Sequence, residues 1–403
     1  MNNLSNQAWL KDEASQKIIN ILTQNGKEAR FIGGCVRDAL YRRPVHDIDI
    51  ATQERPDVVM CLLESADIKA IPTGIEHGTI TAVCNDKVFE ITTLRSDVET
   101  DGRRATVSFT EDWLEDAKRR DFTFNAMSVD GAGNLYDPFD GEEDLRAGRV
   151  RFVGDATERI KEDYLRLLRF FRFSALFSKG PVDADAMDAC HLLADGVSQL
   201  SGERISHEFL RLLEAPRPAK WVKLMIKTGV MKHLIEKVQD PTVLEMLCAF
   251  EDKPDGVRRL AVLLPAKIKQ VQACAERFKL SNAQRKRLEK ARCQEEKLTP
   301  FIQESALRAF LFRYGAETAL DHLMLYWAEK GFTGIGPKEQ KLLDDIHQWQ
   351  NAPINFPVQG RDLLARGYVA GPELGQTLKQ LENWWCENGC SDDKESCLKQ
   401  LPS

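Results

Sequence analysis

A chain of 403 residues is too long for one hydrophobic core, so roughly two to four domains are expected. Apolar residues make up 43% and charged residues 29%, which excludes a disordered chain, and no apolar run approaches bilayer length. The formal net charge of −6 argues mildly against a nucleic-acid binder, yet arginines gather at Arg103–Arg104, at Arg119–Arg120, and at Arg166, Arg169 and Arg172. Such groups suit a polyanion or a triphosphate; read plainly, each is a solvated helix face.

The opening "MNNLSNQAWLKDEASQKI" is too polar for a signal peptide, which predicts a cytoplasmic protein. In "EARFIGGCV" a strand runs into Gly33 and Gly34, and "CVRDALYRR" continues as a helix. "HDIDIAT" then reads as a strand with Asp47 and Asp49 on one face and Ile48 and Ile50 on the other. "PDVVMCLLESADI" is a helix with Pro56 in its first turn. "ITAVCNDKVFEITTLR" is two strands joined at "CNDKV", and its Glu90 is either a third carboxylate beside the Asp pair or an ordinary surface acid. "RRDFTFNAMSVD" carries a further strand pattern. From about residue 155 strand signals vanish. "TERIKEDYLRLLRFFRFSALF" predicts one helix with Thr157 as N-cap, and "SGERISHEFLRLLEA", "RLAVLLPAKIKQVQACAERF" and "ALDHLMLYWAEKGF" continue the helical period. "QNAPINFPVQGRDL" is a Pro/Gly-punctuated linker into a last helical segment.

The ten cysteines lack regular spacing, which predicts reduced thiols; Cys386, Cys390 and Cys397 cluster but form an incomplete zinc set with no His. His46 and His77 read as structural or turn residues and not metal ligands, and Trp384–Trp385 as core or interface aromatics and not a base-stacking platform. The fold class is therefore α+β: a head over the first 150 residues, then an all-helical body.

The chemistry concentrates in residues 31–52. A glycine turn entering a helix presents free backbone N–H groups to phosphate oxygens, and Arg37 adds a positive charge one turn on. Two carboxylates on one strand face can share a hard cation such as Mg²⁺. Neither a P-loop nor a GxGxxG is present. The plain alternative is a turn followed by a polar surface strand.

"GGCVRDALYRRPVHDIDIAT" resembles the first motif of the class II tRNA nucleotidyltransferase and bacterial poly(A) polymerase family, within the polymerase-β-like nucleotidyltransferases. "EDAKRRDFTFNAMSVD" resembles its RRDFTxNA motif, "YDPFDGEEDLRAGRVRFVGDATERIKEDYLRLLRFFRF" its head-to-neck segment, "SGERISHEFLRLL" its neck helix, and "GRDLLARGYVAGPELGQTLKQLENWW" an element near its C-terminus. The resemblance implies a polymerase-β-like catalytic head with a small mixed sheet over 1–150, a neck over 151–215 that recognises the base, a body over 216–350 that binds tRNA, and a helical tail over 351–403. It implies that Asp47 and Asp49 hold two Mg²⁺ ions while Gly33, Gly34 and Arg37 bind phosphates. Arg120 and Asp121 would contact the nucleotide, with Asn125 in support. Glu162, Asp163 and Arg166 resemble an amino-acid template for C and A, and Arg169 and Arg172 would steady phosphate or base.

"PTGIEHGTITAV" resembles the tRNA nucleotidyltransferase version of its region, and "LRSDVETDGRRATVSF" the flexible loop that CC-only enzymes lack. Both favour addition of C, C and A to tRNA from CTP and ATP, with no membrane partner. A poly(A) polymerase or a partial CC- or A-adder would share the head. A non-catalytic RNA-binding module is the remaining rival, and the intact Asp47/Asp49 pair speaks against it. Oligomeric state is not legible.

Overall fold

In a computed structural model, describing residues 4–101 and 104–401, the β-structure lies in the first third of the chain. Strands β1 (Ala29–Ile32), β2 (Ile48–Thr52), β3 (Lys69–Gly74), β4 (Thr79–Cys84), β5 (Lys87–Thr93), β8 (Ser128–Val129) and β9 (Leu135–Tyr136) form one mixed sheet in the order β3-β4-β5-β2-β1-β8-β9. Among the described residues only β2 and β5 pair in parallel. The predicted turn between β4 and β5 has Asn85 and Asp86 both at positive φ (49° and 60°), the two-residue hairpin geometry that matches strand twist.

Register divides the sheet into two chemically distinct rows. Val129, Phe31, Ile50, Ile91 and Ile80 lie opposite one another and are fully buried on one face. One residue along, Tyr136, Ser128, Ile32, Asp49, Glu90 and Thr81 form the neighbouring row on the other face. The first row packs towards the Glu13–Thr23 and Pro56–Ser65 helices; the second holds the polar chemistry.

Four local expectations need correction. "RRDFTFNAMSVD" is mostly not strand: it holds a 3₁₀ turn over Thr123–Asn125 and only the two-residue β8. The segment expected to be a flexible loop, 94–109, contains a separate antiparallel pair, β6 (Arg95–Asp101) and β7 (Arg104–Phe109), while Gly102 and Arg103 lie outside the described residues. "RLAVLLPAKIKQVQACAERF" is two helices, Gly256–Leu263 and Ile268–Arg277, interrupted at Pro265. Finally, the helix expected from Thr157 is capped instead by Asp155, whose carboxylate accepts the Glu158 N–H at 2.9 Å, and it breaks at Asp163. Its two parts are Ala156–Glu162 and Leu165–Phe177. Asp163 is extended (φ −155°, ψ 108°) and its Oδ1 accepts the Leu165 N–H. The break turns Tyr164 onto Gly196, where a Cβ would meet the ring at 2.1 Å.

The Leu165–Phe177 helix is anchored by aromatics. Phe122, Phe124, Phe152, Phe170, Phe173 and Phe177 pack ring to ring with centroids 4.8–6.0 Å apart. Each buried ring stabilises by about 1.5–3 kcal/mol, so the arginines interleaved at 169 and 172 are held by a rigid scaffold.

The chain divides into two compact units, residues 1–212 with 224–234, and residues 213–223 with 235–403. The second unit holds helices joined by loops and no strand among its described residues. Its interior contains charges, but they are paired: buried Asp321 accepts from Arg258 and Arg287 at 2.8 Å, and Arg258 and Arg259 both donate to Glu251. Cys386, Cys390 and Cys397 belong to an apolar cluster with Leu381, Trp385 and Leu398, and burial pushes the Cys390 thiol up to about 12. All ten cysteines are free.

Candidate active site

Gly33 sits where β1 turns into the Gly34–Leu40 helix, at φ 65°, a left-handed conformation that favours glycine. Its position matters as much as its conformation. A Cβ there would lie 3.8 Å from Arg120 Nη1 and 3.8 Å from Asp49 Oδ2, so the glycine turn, the carboxylate and the guanidinium meet at one point.

Asp49 is half-buried in β2, while Asp47 is exposed just before the strand begins. Both line a cleft of about 590 Å³, together with Glu90 from β5 and His46. Among the described residues, no three His, Cys, Asp or Glu side chains are gathered closely enough to hold a metal ion. Glu90 is thus a register neighbour of Asp49 and not part of a preformed triad. Burial, with the Glu90 charge beside it, lifts the Asp49 carboxyl from 3.8 to about 6; Arg120 and Arg37 pull the other way without cancelling this. The site therefore has an excess of negative charge in a partly desolvated place, which a bound cation would relieve. Oxygen-only donors fit a hard divalent ion in kind.

This shift makes a stability prediction. A folded-state value above the unfolded one means that Asp49's contribution is fullest below about pH 4 and is lost as pH rises through about 6. With divalent ions chelated, Asp49→Asn is expected to stabilise the fold near neutral pH by on the order of 1–3 kcal/mol, the gain disappearing below about pH 4. Urea unfolding of both proteins across that range checks it; a gain independent of pH would mean that ionisation is not its cause.

A chain of side-chain bonds runs from the turn to the Leu165–Phe177 helix. Arg37 Nη1 donates to Asn125 Oδ1 (2.9 Å), Asn125 donates to Asp121 Oδ1 (2.9 Å), and Arg169 Nε donates to Asp121 Oδ2 (2.6 Å). Arg169 also faces Glu208 at 3.6 Å, and Arg172 donates to the same carboxylate. Burial raises the Asp121 carboxyl, but Arg169 and the Asn125 hydrogen bond outweigh it and keep it below the ordinary value. Arg172 is itself buried, lies over the Phe173 ring at 4.0 Å, and has its pKa lowered by that burial. In this structure it supports Arg169 through Glu208.

Asp116 and Glu208 are supporting residues that the sequence reading missed. Buried Asp116 accepts from Arg119 at 2.7 Å and Arg120 at 2.9 Å, and these two guanidiniums outweigh burial to hold its carboxyl low. The spacing of Asp116 to Arg119 and Arg120 along one helix was the available signal. Glu208 lies 36 positions from Arg172 and offered none.

Asp163 and Arg166 do not share one helix, as their spacing suggested. Asp163 Oδ2 accepts from Arg204 at 2.6 Å, whereas Arg166 pairs with Glu162 and donates to the Arg119 carbonyl at 2.6 Å. Arg159 donates likewise to the Lys118 carbonyl at 3.0 Å. Each member of the expected selector pair thus has its own partner.

A family model described as "Poly A polymerase head domain" matches residues 29–151, and one described as "Probable RNA and SrmB- binding site of polymerase A" matches 181–240. The mouse protein "CCA tRNA nucleotidyltransferase 1, mitochondrial" is 34% identical, covering 96% of this chain and 90% of its own. A "CCA-adding enzyme" of Streptococcus gordonii is also 34% identical, over 89% and 88%. The crystal structure of the Bacillus stearothermophilus CCA-adding enzyme in complex with CTP superposes with a TM-score of 0.76 at 27% identity, covering 96% of this chain and 97% of that one. Likeness at this level spans head and helical regions alike, and the chain belongs to the family of CCA-adding tRNA nucleotidyltransferases.

Proposed function

We propose that this chain adds C, C and A to the 3′ end of tRNA from CTP and ATP, releasing pyrophosphate at each step. The observation that carries the site assignment is the meeting of Gly33, Asp49 and Arg120 at one point. Backbone N–H groups at Gly33–Gly34 and the guanidiniums of Arg37 and Arg120 would hold the triphosphate. Asp47 and Asp49 would hold divalent metal, Mg²⁺ in our reading, which when bound supplies Lewis-acid chemistry to the 3′-hydroxyl and the leaving pyrophosphate. Asp121 and Asn125 keep Arg37 and Arg169 in place, so the phosphate grip costs no reorganisation when charge develops. Asp163 and Arg166 would read the base, with Glu162 orienting Arg166.

We assign catalysis to residues 1–150, base recognition to 151–215, tRNA binding to 216–350 and a supporting tail to 351–403. No described helix is long and apolar enough to cross a membrane. We place the protein in the cytoplasm, in keeping with its free thiols. Incubation with tRNA lacking CCA, CTP, ATP and Mg²⁺ tests the whole reading: three added nucleotides support it, whereas a long A tail would make it a poly(A) polymerase.

The β6–β7 pair bears on how the third nucleotide is added. It is separate from the main sheet, so shortening it leaves the carboxylate strands intact. Deleting residues 97–104 is expected to leave C addition largely working and to suppress the terminal A, read as product length on a sequencing gel. Equal loss of both activities would make the segment part of the common catalytic machinery.

A further inference from the structure

The Gly202–Leu213 helix buries Ile205, Phe209 and Leu212 in the core. One position before Ile205 and one before Phe209 stand Arg204 and Glu208, four residues apart on one face. An arginine and a glutamate at that spacing can pair along a helix surface. Here each has a partner outside its own helix. Arg204 Nη2 donates to Asp163 Oδ2 at 2.6 Å, while Glu208 accepts from Arg172 and faces Arg169 at 3.6 Å. One helix face thus sets a cation against the acid assigned to the base and an anion against the two arginines beside it.

Asp163 is the member of this set whose orientation most needs fixing. It lies extended in the break between two helices, where helical packing does not choose its rotamer. The Leu165 N–H reaches its Oδ1 at 3.0 Å. One hydrogen bond to one oxygen still lets the carboxylate turn about its last torsion, which is broad for aspartate. A second donor on the other oxygen fixes the plane, and a guanidinium makes the stronger, charge-assisted bond. A carboxylate has about four acceptor positions, so two taken by the protein leave others for a base. The pair is also open to a ligand, with the Arg204 side chain 28% and the Asp163 side chain 27% exposed.

We propose that Arg204 is a positioning residue for base selection, holding the Asp163 carboxylate so that its remaining acceptor positions face the amino group of C or A. This rests on the reading of Asp163 and Arg166 as the base selector. Arg204 acts through Asp163 and does not itself meet the base. Selection of this kind needs a rigid acceptor, because a carboxylate that can turn away escapes the mismatch with the carbonyl of U or G. Loss of Arg204 therefore weakens rejection of the wrong base more than it weakens use of the right one.

The test uses the full chain with two RNAs, tRNA ending before CCA and tRNA ending in CC. On the first it reads the kcat/KM ratio of CTP over UTP, and on the second that of ATP over GTP. Arg204→Gln is expected to lower both ratios about tenfold, less than removal of the carboxylate itself. Arg204→Lys, which keeps the charge but not the planar fork, should recover part of that loss. In an Asp163→Ala background, Arg204→Gln should lower the ratios no further. Losses that multiply would mean that Arg204 acts without Asp163, and would overturn the proposal. So would ratios that stay at wild-type values in Arg204→Gln while Asp163→Ala lowers them, since a purely structural arginine weakens use of right and wrong nucleotides alike. Wild-type ratios in Asp163→Ala itself would instead refute the selector reading and take this proposal with it, a distinct result.

Discussion

Asp49→Ala, and equally Asp47→Ala, is expected to abolish incorporation of both CTP and ATP, with tRNA binding nearly intact. The loss should be on the order of 10³-fold or more, because the chemistry requires opposite charge at both the attacking and the leaving oxygen. The two carboxylates line the 590 Å³ cleft, and Asp49 pays for its place there with a carboxyl raised to about 6. A carboxylate kept in such surroundings adds nothing to affinity for a polyanion, so binding and turnover should separate. Filter binding of tRNA and single-turnover incorporation measure the two; substantial residual turnover in either variant would remove these acids from the reaction.

Asp163→Ala should relax base choice, lowering the kcat/KM ratios of CTP over UTP and of ATP over GTP by on the order of 10²-fold. C and A each show an amino donor beside a ring-nitrogen acceptor. An ionised Asp163 only accepts and Arg166 only donates, whereas U and G reverse both polarities and would leave these half-buried partners mismatched. The structure adds a condition. Asp163 is held by Arg204 and the Leu165 N–H, and Arg166 by Glu162, so a base must be read by atoms these partners leave available or must displace them. The variant also loses the hydrogen bond at the start of the Leu165–Phe177 helix, worth about 1 kcal/mol, which lowers stability without affecting selection. If both ratios stay at wild-type values, the pair is structural.

What was legible in the sequence was local. The Gly33–Gly34 turn, the alternation through Asp49, the hairpin at Asn85–Asp86 and the Pro56 helix start each follow from dihedral preferences or a period of two. The broken neck helix was not legible, because the hydrophobic period runs on through a residue whose side chain caps the next helix. The helix start was also misplaced by two positions, because Asp155 and not Thr157 caps it. The charged network was only half visible: Arg37, Asp121, Asn125 and Arg169 stood in motifs and Asp116 had only its local spacing to Arg119 and Arg120, but Glu208 acts through contacts that only the folded chain brings together.

Arg166 and Arg159 grasp the carbonyls of residues 119 and 118, not their side chains. A main-chain oxygen is the same whatever amino acid bears it. Over generations, then, position 118, whose exposed lysine pairs with Glu115, is free to wander without loosening the Ala156–Glu162 helix from the Trp113–Lys118 helix. The arginines that reach across have no such freedom, and inheritance should be strict on one side of this joint and lax on the other.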